Sequence, residues 1–107
     1  MPRYLFIANY ASDGVKGVLG QGGTARRSAI EKSVAELGGH LETFDFAFGE
    51  DDVYTIAELS DNMAAAALAL TVNADGRAKV RTIVLITPEE VDAASHRSVS
   101  YAGPGST

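Results

Sequence analysis

The chain has 107 residues, which is enough for one domain with a modest hydrophobic core. Its net charge of −5 argues against a nucleic-acid partner, because such proteins neutralise phosphates with lysine and arginine. The absence of cysteine excludes disulfides, thiolate metal sites and cysteine nucleophiles. No signal-peptide pattern opens the chain and no apolar run is long enough to span a bilayer, so we expect a cytoplasmic protein without a membrane partner.

The first third of the chain predicts a strand, a loop and a helix. Residues 3–10 (RYLFIANY) are rich in aromatic and aliphatic side chains and predict a strand. Residues 11–23 contain five glycines and predict a loop. A helix is predicted over residues 24–37, and Gly38-Gly39 marks its end, because glycine adopts the left-handed C-terminal position without steric cost.

Three phenylalanines at alternate positions mark the second strand, residues 40–48. Phe44, Phe46 and Phe48 should lie on one face of this strand, because successive side chains point to opposite sides. Covering each ring is worth roughly 1.5–3 kcal/mol, so a small domain does not leave three rings in water without a use. We therefore expect helices of the same chain, a second subunit or a ligand to cover this face.

The next segments predict a hairpin and a second helix. Residues 49–52 predict the turn, and residues 53–59 predict the third strand. Ser60 or Asp61 caps a helix whose body (NMAAAALALTV) is apolar on nearly every side. Such a helix is expected to be buried on more than one side.

The last segments predict a strand, a short helix and a tail. Residues 78–86 (AKVRTIVLI) predict the fourth strand, and residues 87–90 (TPEE) form a capping box with proline at the first helical position. The remainder is small, polar and interrupted by Gly and Pro, which predicts flexibility. We therefore expect one domain over residues 1–95 and a flexible tail over residues 96–107.

The element order β-α-β-β-α-β predicts an α+β, ferredoxin-like fold with a four-stranded antiparallel sheet. In such a fold both helices pack on one face of the sheet, and we place the phenylalanine row on the other, open face. Tyr4, Phe6 and Tyr10 share one parity on the first strand, which is consistent with an aromatic face that continues across strands.

Six short segments occur in a defined order between Arg3 and about Glu90. They are Asn9-Tyr10, Asp13-Gly14-Val15-Lys16, Leu37-Gly38-Gly39, Gly49-Glu50-Asp51-Asp52-Val53, the helix MAAAALAL and Lys79-Val80-Arg81-Thr82. With this spacing the chain resembles the GYD domain family, small bacterial proteins with a Gly-x-Tyr-Asp turn between strands two and three. The signature tyrosine is Asp51 here, so the resemblance implies no role for this position that needs a tyrosine hydroxyl.

The resemblance implies a subunit that pairs sheet to sheet as a dimeric α/β barrel, and thus a homodimer or a higher homo-oligomer. The family has no generally established biochemical activity. Related barrels include ligand-binding proteins and cofactor-independent enzymes, and the fold alone does not choose between them.

Weaker patterns favour structural interpretations, and we expect no cofactor and no metal. Gly20–Ala25 loosely fits a dinucleotide loop, but its glycines lie ten residues after the strand instead of directly after it. Adjacent Asp51 and Asp52 are more typical of a solvated turn than of a metal site. His40 and His96 are far apart in the chain and have no cysteine nearby, which argues against zinc or copper.

Two groups of polar residues are candidates for binding. Arg77, Lys79 and Arg81 form a basic patch at the start of strand four, which indicates a charged strand edge or, alternatively, an anion clamp at a pocket mouth. Tyr10 and Lys16 lie where strand one meets the predicted loop, a place where sites tend to gather, and they match the family pattern. We expect any pocket between the sheet and this loop, with Tyr10 and Lys16 at its rim.

Two hypotheses of different class follow. The first is an oligomer that binds a small apolar or anionic molecule at the sheet face, with Tyr10, Lys16, His40, Phe46 and Arg81 as candidate ligand-binding residues. The second is a cofactor-independent enzyme that uses Tyr10 or His40 as acid or base and Lys16 or Arg81 to hold an anion. The sequence offers no convergent acid–base pair, which favours the first hypothesis, and it identifies no catalytic residue.

Overall fold

The computed structural model describes residues 1–106 and contains four strands and four helices. In chain order these are β1 (Arg3–Tyr10), α1 (Ser12–Gln21), α2 (Gly23–Glu36), β2 (His40–Phe46), β3 (Val53–Glu58), α3 (Asn62–Asp75), β4 (Ala78–Leu85) and α4 (Pro88–Ser95). Every strand and helix predicted from the sequence is present, with ends that differ by one or two residues. Helix α1 was not predicted.

The strands form one antiparallel sheet in the order β2-β3-β1-β4. This order, with α2 and α3 as crossover helices, confirms the predicted α+β, ferredoxin-like fold. Helices α2 and α3 pack on the side of the sheet that carries Tyr4 and Phe6, which we call the helix side. The opposite side carries Leu5 and Ile7 of β1, and we call it the open face.

The hydrophobic core lies between the helix side and the two crossover helices. Tyr4 and Phe6 of β1 cluster there with Val34 of α2 and Leu68 of α3, and all four are buried. The Tyr4 hydroxyl donates to Asn62 Oδ1 at 2.7 Å, so the polar end of this buried ring has a partner.

The predicted loop after β1 is the helix α1 instead. Val15, Val18 and Leu19 have helical spacing, and Gly14 is buried within the helix. A Cβ atom on Gly14 would overlap the backbone carbonyl of Arg77, so glycine is required there for close packing against the start of β4. The glycines of this segment therefore belong to a helix, in which Gly14 is needed for close packing while Gly17 and Gly20 face open space. The prediction of a loop was wrong.

Helix α2 ends at Gly38-Gly39, as predicted. Gly38 has φ 75°, and the Gly39 N–H donates to the Val34 carbonyl at 2.9 Å, which satisfies a carbonyl at the helix end. A Cβ on Gly39 would overlap the carbonyl of Glu58, so this glycine also permits the close approach of β2 to the end of β3.

The phenylalanine row lies on the helix side of the sheet, and our placement of it on the open face was wrong. Phe44 pairs with Thr55 and Phe46 pairs with Val53, and both β3 residues are buried beneath the helices. A β-bulge earlier in β2 shifts the alternation of its side chains, and this sets which face the rings occupy. Phe48 lies beyond the strand at φ 53°.

Helix α3 is buried on one side only, so the prediction of burial on several sides was wrong for the single chain. Ala65 and Leu68 are buried against the sheet. Met63 is 77% exposed and Leu70 is 71% exposed on the outer side. The apolar character of this helix therefore leaves large side chains in contact with solvent.

Candidate ligand pocket

A gap between α2 and α3 leaves part of the helix side of the sheet uncovered. Beneath the gap lies an apolar cavity of about 50 Å³. Its floor includes the small Ala8 of β1 and the Phe44 ring of β2, and its roof includes Ile30 of α2 and Val72 of α3. The small side chain on the floor and the separation of the helices together leave this space unfilled.

The cavity adjoins a larger cleft of about 670 Å³ between α1, α2 and α3. Cavity and cleft share Tyr10, Arg26, Ile30, Val72 and Ala78 in their linings, so they form one pocket with an apolar bottom and a polar mouth. Sites for small organic molecules usually measure about 300–1,000 Å³, and the cleft falls within this range.

Arg26 is the polar side chain that connects the two parts of the pocket. It is half-buried in the first turns of α2 and lines both the cavity and the cleft. Among residues 1–106 the arginines at positions 3, 27, 77 and 81 form salt bridges with carboxylates, whereas Arg26 and the exposed Arg97 form none. Its guanidinium is therefore available to an anion that enters the pocket.

Helix α1 forms one wall of the cleft, and the residues that line this wall include glycines. Gly17 and Gly20 line the cleft, and a Cβ on either would meet no atom within 4 Å. This face of the helix therefore leaves room for a ligand. The Ala11 N–H donates to the Arg77 carbonyl at 2.9 Å, which fixes the start of α1 against the strand that follows α3.

The mouth of the cleft also carries charges that are already paired. Arg77 Nε lies 3.6 Å from Asp75 Oδ2 in an exposed ion pair, and Asp13 lies on the α1 side. An exposed pair of this kind is worth little in stability, and it leaves Arg26 as the half-buried cation of the pocket.

The predicted site residues separate into two groups. Tyr10 lines the pocket, and Phe46 packs directly over Gly23 at the start of α2. Lys16 is exposed on α1 and does not line the pocket beside it. Sequence reasoning missed Arg26, although the spacing Arg26–Ile30 continues the apolar face of α2 backward by four residues and would have indicated it.

Arg81, another predicted site residue, lies on the open face. Its Nη2 donates to Asp51 Oδ2 at 3.0 Å, and the same carboxylate accepts hydrogen bonds from Asn9 Nδ2 at 2.7 Å and from the Tyr54 hydroxyl at 3.2 Å. Asp51 is only 7% exposed, so the interpretation of this turn as solvated was wrong. Its neighbour Asp52 accepts the Tyr10 backbone N–H at 2.9 Å.

These contacts determine the charge of the network. The hydrogen bond from Asn9 lowers the pKa of Asp51, with smaller contributions from Tyr54 and Arg81, against the opposing effect of burial. Burial, together with the hydrogen bond to Asp51, raises the pKa of Tyr54. Asp51 is thus held as a carboxylate.

The acid–base candidates Tyr10 and His40 lie at opposite ends of the sheet. Tyr10 pairs with Ala78, whereas His40 pairs with Glu58, which itself pairs with Arg3 at the other end of β1. Seven residues of strand separate these ends, which corresponds to roughly 23 Å. Within residues 1–106 the structure therefore does not bring the two side chains to one site. No cluster of three potential metal ligands occurs in these residues either.

Comparison with known proteins identifies a family and no activity. The model of the GYD domain family matches residues 4–95. Neither the curated proteins nor the solved structures provide a significant match to the chain. In the described part of the chain, no helix combines the length and apolar character needed to cross a membrane.

Proposed function

This chain belongs to the GYD domain family, and we propose that it binds a small amphipathic carboxylate in the pocket between α1, α2, α3 and the helix side of the sheet. The single observation that supports this proposal is Arg26, a half-buried arginine at the junction of cavity and cleft that forms no salt bridge within residues 1–106. A planar guanidinium recognises carboxylates by paired hydrogen bonds.

Tyr10 provides a second polar group at the same place. Its ring lines the cavity and the cleft and lies 6.5 Å from the Phe46 ring, measured between centroids. Its backbone N–H is held by Asp52, so the position of the residue is fixed. The ring thus contacts the apolar part of a ligand, while the hydroxyl donates to its carboxylate.

The size of the pocket limits the ligand. The apolar cavity of about 50 Å³ admits only a small aliphatic end group, because an apolar cavity that holds a benzene ring measures about 150 Å³. The remainder of the molecule must occupy the cleft. A compact branched carboxylic acid such as 4-methylpentanoate fits these requirements, whereas a long acyl chain does not.

Titration calorimetry with three molecules of equal length tests this proposal. We expect 4-methylpentanoate to bind, and 4-methylpentanamide and 4-methylpentylamine to bind much more weakly, because only the carboxylate forms charge-assisted hydrogen bonds with Arg26. Such bonds contribute about 1.5–3 kcal/mol, so Arg26→Met should weaken carboxylate binding tenfold or more.

The neighbouring Arg27→Met is the matched control, because Arg27 points to solvent and pairs with Glu31 at 4.0 Å. Tyr10→Phe should weaken binding less than Arg26→Met. Lys16→Ala should leave binding unchanged, and this variant tests the expectation from the sequence that Lys16 lies at the rim of the pocket. Equal affinity for all three molecules, or equal effects of the substitutions at positions 26 and 27, would show that Arg26 does not recognise the ligand.

We also propose that two copies of the chain pair through their open faces. Two of the cations there are already neutralised within the chain, since Arg3 Nε lies 2.8 Å from Glu42 Oε2 and Arg81 pairs with Asp51. Between them, Ile83 remains 40% exposed. Burial of an aliphatic surface with pre-paired charges avoids the cost of desolvating unpaired ions.

Light scattering at micromolar concentration tests this assembly. We expect a mass above the 11.2 kDa of one chain, and we expect Ile83→Asp to dissociate the oligomer. Met63→Asp, at an exposed apolar position on α3, is the control and should not dissociate it. A monomer in the parent protein would refute the pairing.

A further inference from the structure

The sequence of helix α4 specifies a stable helix start, yet the helix buries none of its residues against the rest of the chain. Thr87 Oγ1 accepts the Glu90 N–H at 3.1 Å, Glu90 Oε1 accepts the Thr87 N–H at 2.9 Å, and Pro88 occupies the first turn. No residue of α4 is buried. The radius of gyration of the chain is 17.2 Å, whereas a compact domain of this length has about 13 Å, in agreement with a C-terminal region, α4 together with the exposed residues 96–106, that projects from the sheet.

An isolated helix of this length is not stable in water. Helices shorter than about 12–15 residues are marginal even in favourable sequences, because few hydrogen bonds offset the cost of the first turn. The capping box contributes stability at one end only. The eight residues of α4 therefore need a packing partner, and the residues that match the GYD family include all of α4.

The surface of α4 indicates what kind of partner it contacts. Pro88, Val91 and Ala94 are three residues apart and form a narrow apolar stripe, in which Val91 is 50% exposed. Glu90 and Asp92 flank this stripe on its two sides, and the helix has no basic residue. A fitting partner surface is therefore aliphatic and positively charged.

We propose that α4 packs on the open face of a second copy of this chain and clasps the two copies together. That face combines aliphatic side chains such as Ile83 with Lys79 and Arg81 of β4, a strand that has no acidic residue. Lys79 forms no salt bridge within residues 1–106, so it is available to Asp92 of the other copy. In a two-fold pair the same contact occurs twice, which doubles its effect.

This clasp rests on the proposed pairing of open faces. Two substitutions on α4 distinguish a failure of the clasp from a failure of the pairing. Val91→Asp places a charge in the apolar stripe, whereas Ala93→Asp places the same charge on the opposite side of the helix. By sedimentation of the full chain, Val91→Asp should raise the dissociation constant of the oligomer at least tenfold, and Ala93→Asp should not change it. Equal behaviour of both variants in an oligomeric parent would overturn the clasp and leave the pairing intact.

A charge exchange shows whether the contact crosses between copies. Asp92→Lys and Lys79→Glu should each weaken the homo-oligomer, and an equimolar mixture of the two variants should regain part of the parent's affinity. Failure of the mixture to associate better than either variant alone would overturn the proposal. The proposal would also be overturned if the parent and Val91→Asp were both monomeric and Val91→Asp had the lower melting temperature, because α4 would then pack on its own chain.

Discussion

Asp51 is buried in the turn between β2 and β3, and its contacts give stability a pH dependence. Its pKa is lowered in the folded chain, so the carboxylate contributes stability above its ordinary pKa of about 3.9, and this contribution is lost as the pH falls through the lowered value. We expect Asp51→Asn to lower the melting temperature by several degrees at pH 7, because the ion pair with Arg81 is lost.

Calorimetry between pH 7 and pH 3 checks this expectation. The difference in melting temperature between the parent and Asp51→Asn should narrow as the pH falls, since protonation removes the same negative charge from the parent. Asp45→Asn, at an exposed aspartate of β2, is the control and should differ from the parent by little at any pH. A difference that stays constant over this range would mean that the charge of Asp51 is not what stabilises the fold.

Gly14 and Gly17 lie in the same helix and should respond in opposite ways to alanine. A Cβ at Gly14 overlaps the Arg77 carbonyl, so Gly14→Ala should destabilise the chain by about 1–3 kcal/mol, as overpacking does. A Cβ at Gly17 meets no atom within 4 Å, so Gly17→Ala should stabilise it by up to about 1 kcal/mol through helix propensity. Urea denaturation measures both, and destabilisation by Gly17→Ala would contradict the helical assignment of α1.

At the scale of elements, the sequence determines which segments are strands more clearly than which way they face. The alternating phenylalanines correctly predicted β2, because a period of two residues is a local property. Their face depends on the bulge between Leu41 and Thr43 and on the pairing of Phe44 with Thr55, which are properties of the assembled sheet. The sequence therefore predicted an aromatic surface shared with β1 but not its position under the helices.

The pocket was predictable in part for the same reason. Tyr10 at the end of β1 was recognised, since a strand end beside a glycine-rich segment is a local pattern. Arg26 depends on the gap between α2 and α3, which is set by how two distant helices seat on the sheet. The glycines of α1 hid the helix, because a glycine used for close packing and a glycine used for a turn look alike in sequence.

The aromatic cluster of β2 gives a test of this assignment of faces. Phe46 is half-buried against Gly23, 5.4 Å from the Phe44 ring and 5.6 Å from the Phe48 ring between centroids, whereas Phe48 itself is 70% exposed. Phe46→Asp should destabilise the chain by about 3 kcal/mol or more, because it removes a packed ring and places a charge beneath α2.

Phe48→Asp is the matched control, because it makes the same chemical change at an exposed ring two residues later, and it should lower the free energy of unfolding by less than half as much. Chemical denaturation of both variants makes the comparison. If both substitutions lowered the free energy of unfolding equally, the ring of Phe46 would be as accessible as that of Phe48, and the packing of β2 against α2 would be wrong.

At the scale of the whole molecule, the two proposals concern opposite faces of the sheet. The helix side combines the core with the proposed ligand pocket, and the open face carries the paired charges of Arg81 and Asp51 together with the aliphatic surface proposed for assembly. The pocket and the assembly surface therefore lie on opposite sides of β1. We expect ligand binding and association to be separable by substitution, as with Arg26→Met and Ile83→Asp.

The C-terminal part of the chain provides the sharpest test of how the molecule is built. Residues 96–106 are almost entirely exposed, and Val99 and Tyr101 are 83% and 80% exposed, so removal of residues 97–107 should leave the melting temperature and the oligomeric state unchanged. Removal of residues 87–107 also deletes α4 and should shift the protein toward the monomer, while the circular dichroism of the sheet is retained. Light scattering and thermal melts of the two truncated chains make this comparison. Dissociation already in the shorter truncation would assign the intersubunit contact to the tail, and persistence of the oligomer in the longer one would leave the open faces alone responsible for it.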